Sequence, residues 1–389
     1  MENEIDFEGY TCPVPVQPRD TVVLGHGSGG KLSHDLINRL FLPDLGKAAP
    51  RALDDAAVLN INGQRLALTT DSHVVSPLFF PGGDIGRLAV CGTVNDLAMV
   101  GAKPIALTCG FVVEEGLSFE ILQRVVKSMR ESAAEAGVYI AAGDTKVVQK
   151  GGADKLFINT SGVGSVEAGV NISGTNAQIG DVVIISGTMG DHGVAVLSAR
   201  ENLEFETDLQ SDVAPLNHLV EAMMGAGEIH VLRDPTRGGV ATTLNEIASQ
   251  SKVGIELLET TLPVKPQVRA ACEMLGFDPL NIANEGKLLA IVKAEDAENI
   301  LAVMRKTKYG EEACIIGKVI ETKNPQVRLR TAIGGTRLID MLPGEMLPRI
   351  LAPLKARGGI FLCVFRFVVF VVELTKLILF RSGSGAGSG

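Results

Sequence analysis

Cysteine is sparse in this chain, and it occurs without the spacing that metal sites and disulfide frameworks require. The six cysteines are Cys12, Cys91, Cys109, Cys272, Cys314 and Cys363. None forms a C-x-x-C pair or a close cluster with histidine. The pattern argues against a structural zinc site and against a disulfide-stapled fold.

An excess of positive charge is also lacking. The chain has 36 Lys and Arg residues against 45 Asp and Glu residues, for a net charge of −9. No broad basic face is therefore available to neutralise phosphodiesters, and nucleic acid is not an expected partner. The N-terminal sequence Met-Glu-Asn-Glu-Ile-Asp-Phe-Glu is acidic and has neither the basic nor the apolar region of a signal peptide. We therefore expect a cytoplasmic protein.

Length and periodicity predict an α/β protein of two or three domains. The chain has 389 residues, with 46% hydrophobic residues and 44 glycines, which is typical of a loop-rich α/β protein. A polar segment at 167–180 separates two series of alternating strands and helices. The predicted strands are 21–24, 66–70, 105–113, 138–142, 156–163, 181–186, 255–258, 288–292 and 314–319. The predicted helices are 84–100, 118–136, 194–200, 215–224, 240–250, 265–275 and 297–306.

The sequence changes character after residue 350. Residues 360–380 form a long apolar run, and a Gly/Ser-rich end follows it. The break suggests a foreign or reading-shifted appendage. Its apolar and charged residues roughly balance on an insertion scale, so a membrane span and an aggregation-prone β segment both stay open. Any membrane contact is expected through this run alone.

A glycine-rich loop spans residues 25–30 and is followed by Lys31. It matches a dinucleotide fingerprint and the beginning of a P-loop, but Leu32 stands where a P-loop has Ser or Thr. Both matches are weak. Small residues at Gly27, Gly29 and Gly30 allow backbone N–H groups to approach an anion, and Lys31 adds positive charge. The alternative is a turn without a ligand.

Carboxylates recur in predicted polar turns that follow apolar runs in the first half of the chain. Taken singly, each is explained as a helix cap or a turn former. Taken together, they fit a nucleoside triphosphate site, because Mg²⁺ bridges carboxylate oxygens and phosphates. The segments are Asp54-Asp55, Asp71, Asn95-Asp96 and Asp144-Thr145-Lys146.

The second half contributes a basic segment, Arg233-Asp-Pro-Thr-Arg-Gly-Gly239, directly before a predicted helix. Arginine offers planar paired donors to phosphate, and a helix N-terminus adds its dipole. Glu285 adds a carboxylate before a predicted strand, although an ordinary turn explains it equally well.

Four segments, in this order, resemble the HypE family of hydrogenase maturation factors. This family lies within the superfamily of ATP-dependent enzymes that includes aminoimidazole ribonucleotide synthetase, the PurM-like superfamily. The resemblance spans roughly residues 20–350. The segments are His26-Gly-Ser-Gly-Gly-Lys-Leu32, Val94-Asn-Asp-Leu-Ala-Met-Val-Gly-Ala-Lys-Pro104, Ala142-Gly-Asp-Thr-Lys146 and Arg233-Asp-Pro-Thr-Arg-Gly-Gly239.

The resemblance implies a two-domain PurM-like fold. In such a fold an N-terminal mixed sheet forms a dimerisation domain, a C-terminal α/β domain follows, and the protein is a homodimer. On this basis we divide the chain into an N-terminal lead (1–20), an ATP-binding and dimerisation domain (21–166), a C-terminal α/β domain (167–325), a C-terminal segment (326–350) and the appendage (351–389).

The resemblance also implies an activity. Family members are ATP-dependent carbamoyl dehydratases: a HypF-type carbamoyltransferase loads a C-terminal cysteine, and ATP drives dehydration of the carbamoyl group to a thiocyanate. The cyanide then passes to iron held by a HypC–HypD complex. The implied cofactors are ATP and Mg²⁺.

Site residues transfer position by position from the resemblance. Metal and triphosphate ligands would be Asp54, Asp55, Asp71 and Asp96. Nucleotide contacts would come from Gly27, Gly29, Gly30, Lys31, Asn95, Thr145 and Thr236. Catalytic roles would fall to Asp144, Lys146, Asp234, Arg237 and Glu285.

One departure from the family pattern concerns the carrier thiol. Family members end in Pro-Arg-Ile-Cys, whereas Leu351 follows Pro348-Arg349-Ile350 here. We therefore expect the chain to fold and to hydrolyse ATP slowly without completing the dehydratase cycle. The alternatives are a selenophosphate synthetase-like kinase and a non-catalytic protein that binds the maturation complex.

Overall fold

The structure, a computed structural model, describes residues 21–45, 53–201 and 208–344. The predicted lead at 1–20 and the appendage at 351–389 lie outside these residues, and so does the apolar run at 360–380. Within the described ranges, no helix has the length and apolar character needed to cross a membrane.

The described residues form α-helices, β-strands and short 3₁₀ and π turns. The strands are β1 (Ala57–Ile61), β2 (Gln64–His73), β3 (Phe79–Phe80), β4 (Gly83–Asp84), β5 (Ala102–Glu114), β6 (Tyr139–Val148), β7 (Leu156–Val166), β8 (Val182–Ile185), β9 (Ile229–Arg233), β10 (Gly254–Leu258), β11 (Leu289–Val292), β12 (Cys314–Ile320), β13 (Gln326–Arg330) and β14 (Thr336–Ile339). The helices are α1 (Lys31–Leu36), α2 (Leu42–Leu45), α3 (Ile85–Met99), α4 (Phe119–Ala136), α5 (Asp191–Glu201), α6 (Asn217–Met224), α7 (Gly239–Ser251), α8 (Pro266–Leu275) and α9 (Ala297–Met304).

The first sheet is mixed and has the strand order β1-β2-β7-β5-β6. Its neighbours are antiparallel except for β5 and β6, which are parallel. Helices α3 and α4 cover one face, where Leu107, Val125 and Ile158 are buried. The opposite face leaves Leu68 and Ile105 exposed. Burial on one face only explains the alternation of apolar and polar residues along β2 and β5.

Helix α3 is buried on nearly all sides. It begins after Asp84, whose side chain accepts hydrogen bonds from the N–H groups of Gly86 (2.7 Å) and Arg87 (3.2 Å). Such an N-cap satisfies donors that the first helical turn cannot pair internally. Asn95 and Asp96 lie near its other end, so two polar side chains are carried into the interior.

The second sheet has seven strands in the order β14-β13-β10-β12-β8-β11-β9. Its neighbours are antiparallel except for β10 and β13, which are parallel. The two faces carry separate clusters of buried residues: one packs on α7 and the other packs on α6 and α9. The cluster on α6 and α9 includes Ala98 and Met99 of α3, which ties the two sheets together.

The sequence predicted the main helices within a few residues, because their apolar periodicity reflects burial. The strand predictions were less complete. Strand β1 was not predicted, and β2 runs on to His73, so Asp71 lies within a strand rather than in a turn. Residues 21–23 are not a strand, and Leu24–Gly27 form a 3₁₀ turn. Strand β6 runs on to Val148, so Asp144 lies within a strand rather than in a turn. Strands β13 and β14 continue the second sheet.

Candidate active site

Five carboxyl groups from distant parts of the chain lie within electrostatic reach of one another. Asp55 precedes β1, Asp71 lies in β2, Asp96 lies in α3, Asp234 follows β9 and Glu285 precedes β11. Burial raises the pKa of Asp96 well above its usual range, and the charges of Asp234, Asp55 and Asp71 raise it further. We call these five residues the acidic cluster.

Other members of the acidic cluster are perturbed for the same reasons. Burial raises the pKa of Asp234 to about 6, against the lowering effect of Arg233. Burial also raises the pKa of Glu285 well above its usual range, and Asp234 and Asp71 add to the effect. Negative charge is thus concentrated where water is scarce, a condition that favours a bound cation and perturbed acid–base groups.

Asp55 carries an unsatisfied oxygen in the acidic cluster. Its Oδ1 lies 3.0 Å from Arg233 Nε, whereas its Oδ2 is buried and has no hydrogen-bond partner among the residues that the structure describes. Buried carboxylate oxygens normally have a partner. A cation or a nucleotide-bound water would supply the missing one.

Arg233 is a structural cation, which corrects the prediction that both arginines of the basic segment face phosphate. Its side chain is buried, and Nη2 lies 2.7 Å from Glu246 Oε2 while Nη1 donates to Leu53 O at 3.2 Å. On the other side of Glu246, Oε1 lies 2.7 Å from His34 Nε2. Since these carboxylates occupy the guanidinium, Arg237 is left as the arginine that can meet phosphate.

Asp71 and Asp96 have defined neighbours. Asp71 Oδ1 accepts a hydrogen bond from Ser72 N at 2.7 Å, and its Oδ2 lies 3.7 Å from Nε2 of the buried His73. Burial lowers the pKa of His73, which favours the neutral ring. Asp96 Oδ2 accepts from Thr69 Oγ1 at 2.8 Å. These contacts orient both carboxylates without neutralising them.

Asp54 was predicted to bind a metal ion, but its side chain makes a main-chain contact instead. Its Oδ1 accepts a hydrogen bond from Gly174 N at 2.8 Å. Gly174 belongs to the polar segment that joins the two sheets. Asp54 therefore fastens that segment beside the acidic cluster, and its partners give no indication of a metal-binding role.

Asn95 is buried, and both atoms of its amide contact the main chain. Nδ2 donates to Ala214 O at 3.0 Å and to Glu285 O at 3.4 Å, while Oδ1 accepts from Leu216 N at 2.8 Å. The predicted nucleotide contact stays a prediction. The contact that the structure contains is a clamp from α3 on the segment that carries Glu285.

The glycine-rich loop packs between the basic segment and the C-terminal part of the described chain. Gly29 has a φ of +81° and lies directly against Arg237, so that an added Cβ would come within 2.8 Å of Arg237 Cβ. Arg237 Nη1 donates to Gly27 O at 3.3 Å. On the other side, Lys31 N donates to Leu342 O at 2.9 Å, and Lys31 Nζ lies 2.6 Å from Asp340 Oδ2.

The Asp144-Thr145-Lys146 segment is not joined to the acidic cluster by any hydrogen bond among the described residues. It lies on the exposed edge strand β6, where Lys146 Nζ contacts Asp144 Oδ2 at 2.7 Å and both side chains are 70% exposed. This hydrogen bond lowers the pKa of Asp144. Thr236, by contrast, is half-buried in the loop between Asp234 and Arg237.

Sequence reasoning missed the residues that support the site, namely Thr69, His73, Glu246 and His34. No motif marks them, because their contacts join residues far apart in the chain or on neighbouring strands. Two surface cavities in the described part of the chain, of about 380 Å³ on α4 and about 370 Å³ beside α8, contain no member of the acidic cluster. Charge and burial identify the site.

Both halves of the chain match models of one protein family. Residues 53–166 match the N-terminal domain of AIR synthase related protein, and residues 178–330 match the C-terminal domain. Carbamoyl dehydratase HypE of Cupriavidus necator is 53% identical over 344 residues, which are 88% of this chain and 98% of that protein.

Solved structures give the same result. A HypE–HypF complex contains a chain that is 54% identical, with a TM-score of 0.76 and coverage of 79% of this chain and 99% of the other. HypE in complex with ATP is 53% identical, with a TM-score of 0.71 and coverage of 85% and 100%. The two-domain PurM-like fold is confirmed, and the chain belongs to the HypE family of carbamoyl dehydratases.

Proposed function

We propose that this chain has the ATP-dependent carbamoyl dehydratase site of nickel–iron hydrogenase maturation and that, without the family's terminal cysteine, it does not complete the dehydratase cycle. The observation that carries the proposal is the convergence of the acidic cluster from both halves of the chain, in a protein 53% identical to HypE in complex with ATP. The selenophosphate synthetase-like alternative loses its support, because the similarity to HypE covers 88% of the chain.

The reaction converts a thiocarbamate to a thiocyanate. ATP transfers its γ-phosphoryl group to the amide oxygen, which makes that oxygen a good leaving group. Loss of the two amide protons and of the C–O bond then forms the C≡N bond, and the oxygen departs with phosphate. The carbamoyl group and ATP yield the cyano group, ADP, phosphate and one net proton.

We assign Mg²⁺ to the acidic cluster, with one or two ligands drawn from Asp55, Asp71 and Asp96. Among the described residues, no group of three or more His, Cys, Asp or Glu side chains is arranged to hold a metal ion alone. Mg²⁺ fits this arrangement, since it needs only one or two carboxylates beside phosphates and water. The partnerless Asp55 Oδ2 supports the assignment. When bound, Mg²⁺ would neutralise the triphosphate.

Glu285 is our candidate for proton transfer. Burial and its acidic neighbours raise its pKa, and a carboxyl group with a raised pKa suits acid–base catalysis near neutral pH. Asp234 lies beside it, and Arg237 supplies an exposed cation for phosphate. Thr236 and the glycine-rich loop, with Gly27, Gly29, Gly30 and Lys31, complete the nucleotide side of this proposal.

A homodimer that pairs through β6 would give a role to Asp144, Thr145 and Lys146. Strand β6 is an unpaired edge, and Tyr139 and Val147 on it are 61% and 69% exposed. An exposed apolar edge strand favours pairing with another chain. A second copy covering β6 would bring Asp144 and Lys146 to the interface, where they can orient and neutralise the transferring phosphoryl group.

The expected partners are a HypF-type carbamoyltransferase and a HypC–HypD complex. The HypF assignment draws on the solved HypE–HypF complex. Because the reaction consumes ATP, we place it in the cytoplasm.

The experiment follows from Leu351, which stands in place of the family's cysteine. We compare the full chain with a chain ended at residue 351 and carrying Leu351→Cys, each with HypF, carbamoyl phosphate and ATP. We expect calorimetry to show ATP uptake by both, and mass spectrometry to show carbamoyl and then cyano adducts on the Leu351→Cys chain alone. Absence of ATP uptake by folded protein contradicts the proposal. Partner binding without ATP turnover supports the non-catalytic alternative.

A further inference from the structure

A segment of the chain at residues 211–216 crosses from the second sheet to the first and is held at several points. Ser211 N donates to Pro81 O at 2.8 Å, and Arg87 Nε donates to Val213 O at 2.9 Å. The Asn95 clamp described above holds the residues that follow. Because main-chain groups of the segment both donate and accept these hydrogen bonds, the segment has little freedom to move relative to the acidic cluster.

Gly286 brings this segment against Glu285. A Cβ at position 286 would overlap Asp212 O and would lie 2.8 Å from Ala214 N. No side chain therefore fits at position 286 while the segment 211–216 packs against it. The close approach lets the Asp212 side chain reach the neighbouring peptide, and Glu285 N donates to Asp212 Oδ1 at 3.0 Å.

The other oxygen of Asp212 is buried and unpaired. Asp212 Oδ2 has no hydrogen-bond partner among the residues that the structure describes. A buried carboxylate oxygen without a partner is costly, and such atoms in a native fold often mark a functional role. Here the atom belongs to the carboxyl group that accepts the main-chain hydrogen bond from Glu285, a member of the acidic cluster.

Several charged groups act on Asp212. Burial raises its pKa to about 6, Lys287 lowers it, and Asp191 raises it. Asp191 itself is held by Thr188 Oγ1 and Lys265 Nζ, each at 2.7 Å. Glu285 faces Asp234, Asp71, Asp212 and Arg237. A carboxyl group in this setting can change its protonation state near pH 6.

We propose that Asp212 is a positioning residue for Glu285, which holds the Glu285 peptide through Oδ1 and uses the unpaired Oδ2 as a second proton site behind it. This inference rests on the proposed function, in which Glu285 transfers protons. Protonation of Asp212 weakens the acceptor for the Glu285 N–H, and the position of Glu285 therefore responds to pH.

The test follows the Glu285 amide signal by NMR in the full chain, labelled with ¹⁵N-glutamate. The signal is identified by its loss in Glu285→Gln. We expect it to titrate with a midpoint near the Asp212 pKa of about 6. In Asp212→Asn, which keeps an oxygen acceptor but has no ionisable group at position 212, we expect the signal to be present and its titration to lose at least about half of its amplitude, because Glu285 and Asp234 still ionise.

Asp296→Asn is the matched control, because Asp296 Oδ2 likewise accepts a main-chain hydrogen bond, from Glu228 N at 2.8 Å, far from the acidic cluster. It should leave the Glu285 titration unchanged. A titration of undiminished amplitude in Asp212→Asn overturns the inference, and so does a pH-independent signal in the unsubstituted chain.

Activity supplies a second readout. In the chain ended with Leu351→Cys, Asp212→Asn should lower kcat about tenfold and change the KM for ATP less than about twofold, because misplacement of a proton-transfer group affects chemistry more than binding. An unchanged kcat counts against the inference. Failure of every variant, including the unsubstituted chain, to take up ATP counts against the proposed function instead.

Discussion

Arg233 Nε lies 3.0 Å from Asp55 Oδ1 and joins the end of a strand in the second sheet to the residues that lead into the first. Arg233 also contacts Glu246 at 2.7 Å. This buried cation balances part of the negative charge of the acidic cluster and fixes its two halves together. The architecture of the site therefore depends on a residue that is unavailable to the substrate.

Replacing Arg233 should destabilise the protein strongly. In Arg233→Ala, Asp55 and Glu246 lose their buried counter-charge, and loss of one member of a buried ion pair costs about 3–5 kcal/mol. Denaturant unfolding measures the difference. Arg328→Ala breaks a more exposed pair with Glu256 and should cost about 1 kcal/mol or less. Equal losses in the two variants would contradict this account.

Asp96→Asn should weaken nucleotide binding and stabilise the empty protein. Burial and three neighbouring carboxylates raise the pKa of Asp96, so its charged form is less favourable than that of an exposed aspartate until a cation binds. We expect Mg²⁺-ATP affinity, measured by calorimetry, to fall at least about tenfold. The melting temperature without nucleotide should rise. Asp154→Asn, at an exposed position of the same half, should change neither quantity.

Glu135 should make stability dependent on pH in the acid range. Burial opposes its ionisation, but hydrogen bonds from Lys308, Tyr309 and Arg87 outweigh this effect and lower its pKa from 4.5 to about 2. A lowered pKa in the folded state means that the contribution is present above pH 4.5 and is lost as the pH falls towards 2.

Glu135→Gln tests this expectation by denaturant unfolding at a series of pH values. The variant should be less stable by about 1–2 kcal/mol at pH 7, and the difference should vanish near pH 2. Glu131→Gln, on the same helix with more distant ion-pair contacts, serves as the control. A difference that is the same at every pH would show that ionisation of Glu135 does not contribute.

Charge on the edge strand should dissociate the proposed dimer. Val147 is 69% exposed on β6, and a glutamate there would be buried without a partner in an interface. We expect Val147→Glu to raise the dimer dissociation constant at least about tenfold, measured by light scattering. Val126→Glu, on the exposed face of α4, should leave the mass unchanged. If folded Val147→Glu protein has the same mass in light scattering as the unsubstituted dimer, the interface lies elsewhere.

The local sequence pattern predicted an element correctly where the element depends on residues close together in the chain. The apolar spacing of α4 and its Ser118 cap predicted that helix, because both depend on neighbours within a few positions. Asp144 shows where pattern failed: its polar surroundings predicted a turn, but pairing with β5 draws the segment into a strand. Pairing of that kind depends on residues more than thirty positions away.

The order of the motifs in the amino-acid sequence by itself indicated the family, and apolar periodicity indicated the α/β class. The sequence also pointed to the five carboxyl groups of the acidic cluster, but together with Asp54 and Asp144, whose contacts lie outside it. Tertiary structure alone decided which polar groups face one another. It directed Asn95 to the main chain, Arg233 to Asp55, and Asp212 to the peptide of Glu285. The physical reason is that burial forces each polar group to find a partner, and the partner is chosen by packing rather than by distance along the chain.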